Sequence, residues 1–434
     1  MFPLSQEILT KTASRLGIID ISTATIRQIV SLSAALENEA NEKFVHLELG
    51  NPGLPASAFG IDAEIAALRD GVANKYPAIN GIPELKNAGS RFVKAFTDID
   101  IPEKAIVPTV GSMQASFTLQ LLLCQRLQER DTILFFNPGF PAQRHQAKVL
   151  GLGIEQFDIY EYRGKALEEK LEQILSKGNV TAMLYSNPNN PSWINLTDEE
   201  LEIVGRMATK YDVIVIEDLA YMGMDFRTDF SHPFESPYIP TVGKYTDNFI
   251  MLISGSKIFS YAGQRIAIVA MSKYVYERQY EFFTKFYEMP AFGDAYVYGV
   301  LYTASSGTTH SAQHALAAMM NAACDGRLNF VKETYEYGRR AEKMKKCFSD
   351  NGFHIVYEKD GERPISDGFF FTTGYGKMDG KTLQEELLRH GISAITLSST
   401  GSEQEGVRIC VSTLSKDEDF EILDQRLKAF KNEH

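Results

Sequence analysis

Cysteine is scarce in this sequence: Cys124, Cys324, Cys347 and Cys410 stand far apart and show no Cys-x-x-Cys spacing. That excludes a disulfide-dense scaffold and fits a reducing compartment. Excess positive charge is also missing. The formal net charge is -12, with acidic and basic residues interspersed, so the chain lacks the basic face that a nucleic-acid or anionic-membrane partner favours. No uncharged apolar run reaches bilayer length, and the opening MFPLSQEILTKTASRLG has no cationic start, apolar run and small-residue cleavage site in series. These absences predict a soluble, cytoplasmic protein with no nucleic acid and no membrane among its partners. A P-loop is absent, and Gly151-Leu-Gly153 begins like a dinucleotide turn but has no third glycine. His310 and His314 share a helical face by spacing, yet no glutamate follows His310 and no third ligand is evident, so no metal is expected.

What the chain does have is length and alternation. At 434 residues and 44% apolar content it exceeds the size at which one core keeps growing, which predicts two domains. Strand-like runs at 105–110, 132–137, 181–187, 213–218, 249–254 and 266–271 alternate with helical patterns. That predicts an α/β fold, a mostly parallel sheet covered by helices, with a smaller α+β domain after it. From Ser311 to Phe353 the pattern turns helical, and short strands such as GFFFTTG and VRICVST follow. The expected division is 1–45 as a segment joining the small domain, 46–325 as the large domain and 326–434 as the small one.

In open α/β sheets ligands collect beyond the carboxyl ends of the strands, so the residues just after each run are the candidates for chemistry. SGSKIFSYAGQR places Lys257 after a buried strand, with Ser254 and Ser256 before it and Gly263 and Arg265 behind. Poor solvation and a nearby cation both favour the neutral amine, the form that condenses with an aldehyde. The two hydroxyls and the guanidinium are donors of the kind a phosphate requires. TVGSMQ offers the backbone N–H groups of Ser112 and Met113 at a helix start, which suits an anion. SNPNNP is a rigid, non-regular loop that holds the amide of Asn190 in one direction. VIVIEDLAY ends an apolar strand in Asp218, with Tyr221 three residues on. A buried carboxylate there needs a partner, unless it serves only as an N-cap.

Together these motifs resemble the class I/II aminotransferases, in that family's order and over nearly the whole chain. The resemblance implies a fold-type-I enzyme with pyridoxal 5′-phosphate as cofactor, carried by Lys257. It implies that Ser112, Met113, Ser254, Ser256 and Arg265 hold the phosphate and that Phe140, in NPGFP, stacks on the ring. Asp218 would face the pyridine nitrogen, and Asn190 and Tyr221 the phenolic oxygen. Arg408, in EGVRICVST, and Gly50, in LELGNPG, would take the substrate α-carboxylate, and Asn190 is expected to bind substrate as well as cofactor. Tyr76 would reach the phosphate across a homodimer interface. The implied reaction moves an amino group between an L-amino acid and a 2-oxo acid, ping-pong, with Lys257, Asp218 and Tyr221 as catalytic residues. A C–S β-lyase on the same site is the nearest rival, and a non-catalytic cofactor-binding regulator a more distant one. The family pattern continues Thr-Gly where this chain has Ser192 and Trp193, its single tryptophan. The aromatic stretch 285–302 is expected to supply part of the substrate pocket.

Overall fold

The computed structural model describes residues 2–434. Its central sheet has seven strands: Ile106–Thr109 (β1), Thr132–Asn137 (β2), Gly153–Asp158 (β3), Val180–Ser186 (β4), Ile214–Asp218 (β5), Phe249–Ser254 (β6) and Ala267–Met271 (β7). They lie in the order β1-β7-β6-β5-β4-β2-β3. All neighbours run parallel except β7, which is antiparallel to both β1 and β6. Every residue of β4, β5 and β6 is buried, as in a sheet covered by helices on both faces. The α/β expectation therefore holds. The strand bounds match the sequence reading for β2 and β6 and differ by a residue at the ends of β1, β4, β5 and β7. Strand β3 was not foreseen, because GIEQFD is partly exposed along most of its length and presents no apolar run.

Three helices follow strands directly and carry the site: Gly111–Leu123 (α1), Pro141–Val149 (α2) and Gly255–Ile258 (α3). The long helical pattern after residue 310 is two helices, His310–Cys324 (α4) and Phe330–Asp350 (α5), rather than one. Gly326 at φ +69° turns the chain out of α4, and the Asn329 side chain accepts from Lys332 N at 3.0 Å to start α5. A second sheet follows, with Phe353–Ile355 (β8), Phe370–Tyr375 (β9), Ile395–Thr396 (β10) and Val407–Cys410 (β11) in the antiparallel order β10-β11-β9-β8. The N-terminal helices Gln6–Arg15 and Ile26–Ala40 bury Leu9, Ile29, Leu32 and Leu36 in a cluster with Leu388 and Ile395. Val45–His46 then pairs in parallel with Ile392–Ser393.

This topology decides where chemistry collects. Strands β2, β4, β5 and β6 end on one edge of the sheet, and β7, reversed, begins there, with Ala267 beside Ser254. Arg265, two residues before β7, thereby reaches the edge where the other strands finish.

Candidate active site

Lys257 lies in α3, directly after β6, and its Nζ donates to the Gly50 carbonyl and stands 5.4 Å from the Phe369 ring centre. Burial pulls its pKa from 10.5 down to about 8; Arg265 and Arg408 push the same way, and the Cys410 thiol opposes them. About a tenth of this amine is thus neutral at pH 7, far more than for an exposed lysine. No carboxylate pairs with it among the described residues.

An anion cradle forms beside it. Gly111, at φ +68°, opens α1, and a Cβ there would fall 2.4 Å from Arg265 Nη2. The guanidinium therefore lies against the first turn of α1, where the free N–H groups of Ser112 and Met113 and the helix dipole attract negative charge. Ser112 Oγ is buried and has no hydrogen-bond partner among the described residues. Arg265 Nη1 donates to Ala262 O at 2.8 Å and to Ser256 Oγ at 3.4 Å, and among the described residues no carboxylate neutralises it. Ser254 Oγ accepts from Ser256 N at 3.1 Å, which caps α3 and fixes both hydroxyls beside the lysine. An orphaned hydroxyl, an unpaired guanidinium and a helix start fit a phosphate.

Asp218 ends β5 with its carboxylate buried, and burial raises its pKa from 3.8 to about 6. Its donors are Gln143 Nε2 at 2.8 Å and Ala220 N at 3.2 Å. Two hydrogen bonds with no cation leave a carboxylate that suits a protonated ring nitrogen. Gln143 was missed by sequence reading; it lies in α2, one turn past Phe140, with no motif to mark it. Phe140 is the half-buried residue before α2. Tyr221 is buried among Trp193, Phe369 and Phe370, its hydroxyl hydrogen-bonds no other described residue, and burial pushes its pKa far up.

Arg408, on β11, is buried and crosses from the small sheet to the large one. Its Nη2 donates to Glu48 O, its Nη1 lies 3.5 Å from Asn190 Oδ1, and its Nε is left without a partner. The guanidinium stands 4.6 Å from the Phe370 ring centre. A buried cation with an unused donor is incomplete and is suited to a carboxylate. Gly50 packs against Phe370, where a Cβ would meet Cζ at 3.1 Å.

The structure thus brings Gly50, Asn190, Asp218, Tyr221, Ser254, Ser256, Lys257, Arg265 and Arg408 to one region, with Ser112 at its phosphate end. Tyr76 stands apart, 92% exposed, beside a surface cleft lined also by Leu68, Pro77, Gly307 and His310. His310 Nδ1 lies 3.1 Å from Lys75 O, and its ring stacks on His314. The aromatic stretch 285–302 packs behind α1, with Tyr296 bonded to Thr118 and Tyr287 to Gln125. Its ring contacts are with Tyr280, Phe282 and Phe283 and within the stretch itself, not with the rings beside Lys257 and Arg408.

The chain resembles known proteins in sequence and in fold. Over 243 residues the chain is 29% identical to an asparagine–oxo-acid transaminase of Streptococcus mutans, covering 53% of this chain and 59% of that protein. Over 253 residues it is 25% identical to a probable aspartate aminotransferase of Methanocaldococcus jannaschii, covering 58% and 62%. The chain therefore spans about three-fifths of the length of these curated relatives. An aspartate aminotransferase structure from Thermotoga maritima superposes with a TM-score of 0.75 at 18% identity, covering 95% of this chain and 98% of that one. YbdL from Escherichia coli, with a reported methionine aminotransferase function, gives 0.74 at 16% identity over 92% and 97%. At such identities these likenesses bear on the fold alone. A family model, aminotransferase class I and II, matches residues 42–425, which takes in both sheets and all of the site residues named above, and the chain belongs to that family.

Proposed function

We propose that the protein is a pyridoxal-phosphate-dependent aminotransferase that moves an amino group between an L-amino acid and a 2-oxo acid in a ping-pong cycle. The observation that carries this reading is that one region gathers Lys257, a buried amine whose pKa burial pulls down to about 8, buried Asp218 and buried, incompletely paired Arg408. Ser112, Met113, Ser254, Ser256, Arg265 and, from a second subunit, Tyr76 would hold the phosphate. Phe140 would cover the ring, Asp218 would sit at its nitrogen, and Asn190 and Tyr221 at its phenolic oxygen. When bound, the cofactor supplies an aldehyde for the amino group and a ring that accepts the electron pair left at the substrate Cα.

The chain's own residues do the rest. Arg408, held by Glu48 O and Asn190 Oδ1, would orient the substrate carboxylate by a planar, two-pronged contact. Lys257 Nζ, near its pKa, would take the proton from Cα and, once protonated, would deliver it to the cofactor's C4′ carbon. Asp218 would remain ionised against a positive partner, with Gln143 fixing the direction of its carboxylate. Phe369, Phe370 and Tyr221 are buried and would form an apolar wall that keeps water from the reacting carbon. Residues 326–434 and the segment 1–45 are proposed to act as one small domain against 46–325, in a cytoplasmic homodimer. Among the described residues no helix is long and apolar enough to cross a membrane.

The test is a half-reaction: purified protein with pyridoxal phosphate, given one amino acid and no 2-oxo acid. Conversion of the cofactor to its amine form with release of one equivalent of 2-oxo acid supports the proposal. Continuous release of pyruvate or ammonia without that conversion would indicate elimination instead.

A further inference from the structure

The Trp193 indole has no task in the chemistry above, yet its placement is costly. Trp193 holds φ +65°, a left-handed backbone that glycine adopts freely and a side chain resists. Its ring is fully buried and its Nε1–H has no acceptor among the described residues, which adds a desolvation penalty. The surroundings hold it there. The ring stands edge-on to Tyr221, at 5.4 Å between centroids, and to Phe370, at 6.3 Å. It also fills the space beside Gly368, where a Cβ would lie 1.9 Å from the indole Cε2. Indole and glycine thus fit as knob and hole between the loop after β4 and the residues that lead into β9.

These contacts close a circuit. Trp193 packs on Phe370, Phe370 lies under the Arg408 guanidinium at 4.6 Å, and Arg408 Nη1 faces Asn190 Oδ1 at 3.5 Å. Asn190 returns to Trp193 through Pro191 and Ser192, and Asn189 Oδ1 fixes that short link by accepting from Ser192 N at 3.2 Å and Ser192 Oγ at 2.7 Å. Half of the circuit belongs to the central sheet and half to the small one. Resting on the function proposed above, we infer that Trp193 is a positioning residue for carboxylate recognition, setting Arg408 and Asn190 relative to each other through Phe370. Both the amino acid and the 2-oxo acid carry that carboxylate, so both feel the device; the cofactor's phosphate, gripped at α1 and α3, does not.

The experiment is steady-state kinetics of the cofactor-loaded protein, varying each substrate, for the wild type, Trp193→Gly, Trp193→Leu and Trp193→Phe. Trp193→Gly and Trp193→Leu are expected to raise KM for both substrates about ten-fold, the scale of one lost cation–π contact, with kcat moved less than about two-fold. Trp193→Phe, which keeps a ring on Phe370, is expected to recover most of that loss. The visible cofactor band that depends on Lys257 should persist in all of them. If Trp193→Gly does not fold, the Leu and Phe pair decides. Unmoved KM in the Leu variant, a loss confined to kcat, or a Phe variant no better than Leu overturns the role of Trp193 while leaving the functional reading intact. A wild type that forms no such band overturns both.

Discussion

Asp218→Asn should make the cofactor-free protein more stable and the cofactor-loaded protein less so. The Asp218 carboxylate is buried with two hydrogen-bond donors and no cation, and its pKa rises from 3.8 to about 6. Holding it ionised well above pH 6 therefore costs the empty protein ~3 kcal/mol. The folded pKa lies above the unfolded one, so the unfolded chain loses this proton first and stability falls as pH rises from about 4 to about 6. Asparagine has nothing to ionise. Its Oδ1 can still accept from Ala220 N, and Gln143 can turn its amide to accept from the new Nδ2. At ~2.1 cal/mol/K of unfolding entropy per residue, the gain is ~3 °C in Tm at pH 8, and about half of it remains at pH 5. Pyridoxal phosphate should reverse the order, because only the carboxylate pairs with a protonated ring nitrogen. Calorimetry of both proteins, empty and loaded, at pH 5 and pH 8 measures all of this. A variant no more stable than wild type when empty at pH 8, or a gain independent of pH, would refute the reasoning.

Other outcomes follow from the same geometry. Cofactor uptake by the empty protein should speed up as pH rises, reach half its limit near pH 8 and level off about one unit above, since only the neutral Lys257 amine attacks an aldehyde; stopped-flow absorbance against pH checks this. Arg408→Lys keeps the charge but loses the planar fork, and should raise KM for both substrates about a hundred-fold while the cofactor stays bound, as read by initial rates. Tyr76→Phe should weaken cofactor retention on dialysis several-fold if the hydroxyl serves a neighbouring subunit. A fully active monomer in sedimentation would contradict that role.

The parts of the site legible in the sequence are those made locally. Lys257, Asp218 and Asn190 each lie within four residues of the end of a buried strand, so apolar runs and the punctuation after them pointed to the right places. Arg265 was legible from its spacing to Lys257, although its arrival at the same edge depends on β7 running backwards, which no local pattern states. What stayed hidden was assembled from distant segments. Gln143 reaches Asp218 across 75 residues, and Phe369 and Phe370 come from the small sheet to lie beside Lys257 and Arg408. Trp193 was visible as an oddity next to Asn190, but its fit against Gly368 belongs to tertiary packing. In the fold, β3 escaped notice because an edge strand carries polar residues, and the turn at Gly326 was masked by helical periodicity on both sides.

The central claim is that Lys257 carries the cofactor and works with it on amino acids, and the visible absorption spectrum tests it most directly. The account predicts a yellow band when pyridoxal phosphate is added to the wild type, no such band in Lys257→Ala, and loss of the band as an added amino acid is converted to its 2-oxo acid. A wild type that forms no band, or a Lys257→Ala variant that forms it and turns over as the wild type does, would contradict the account.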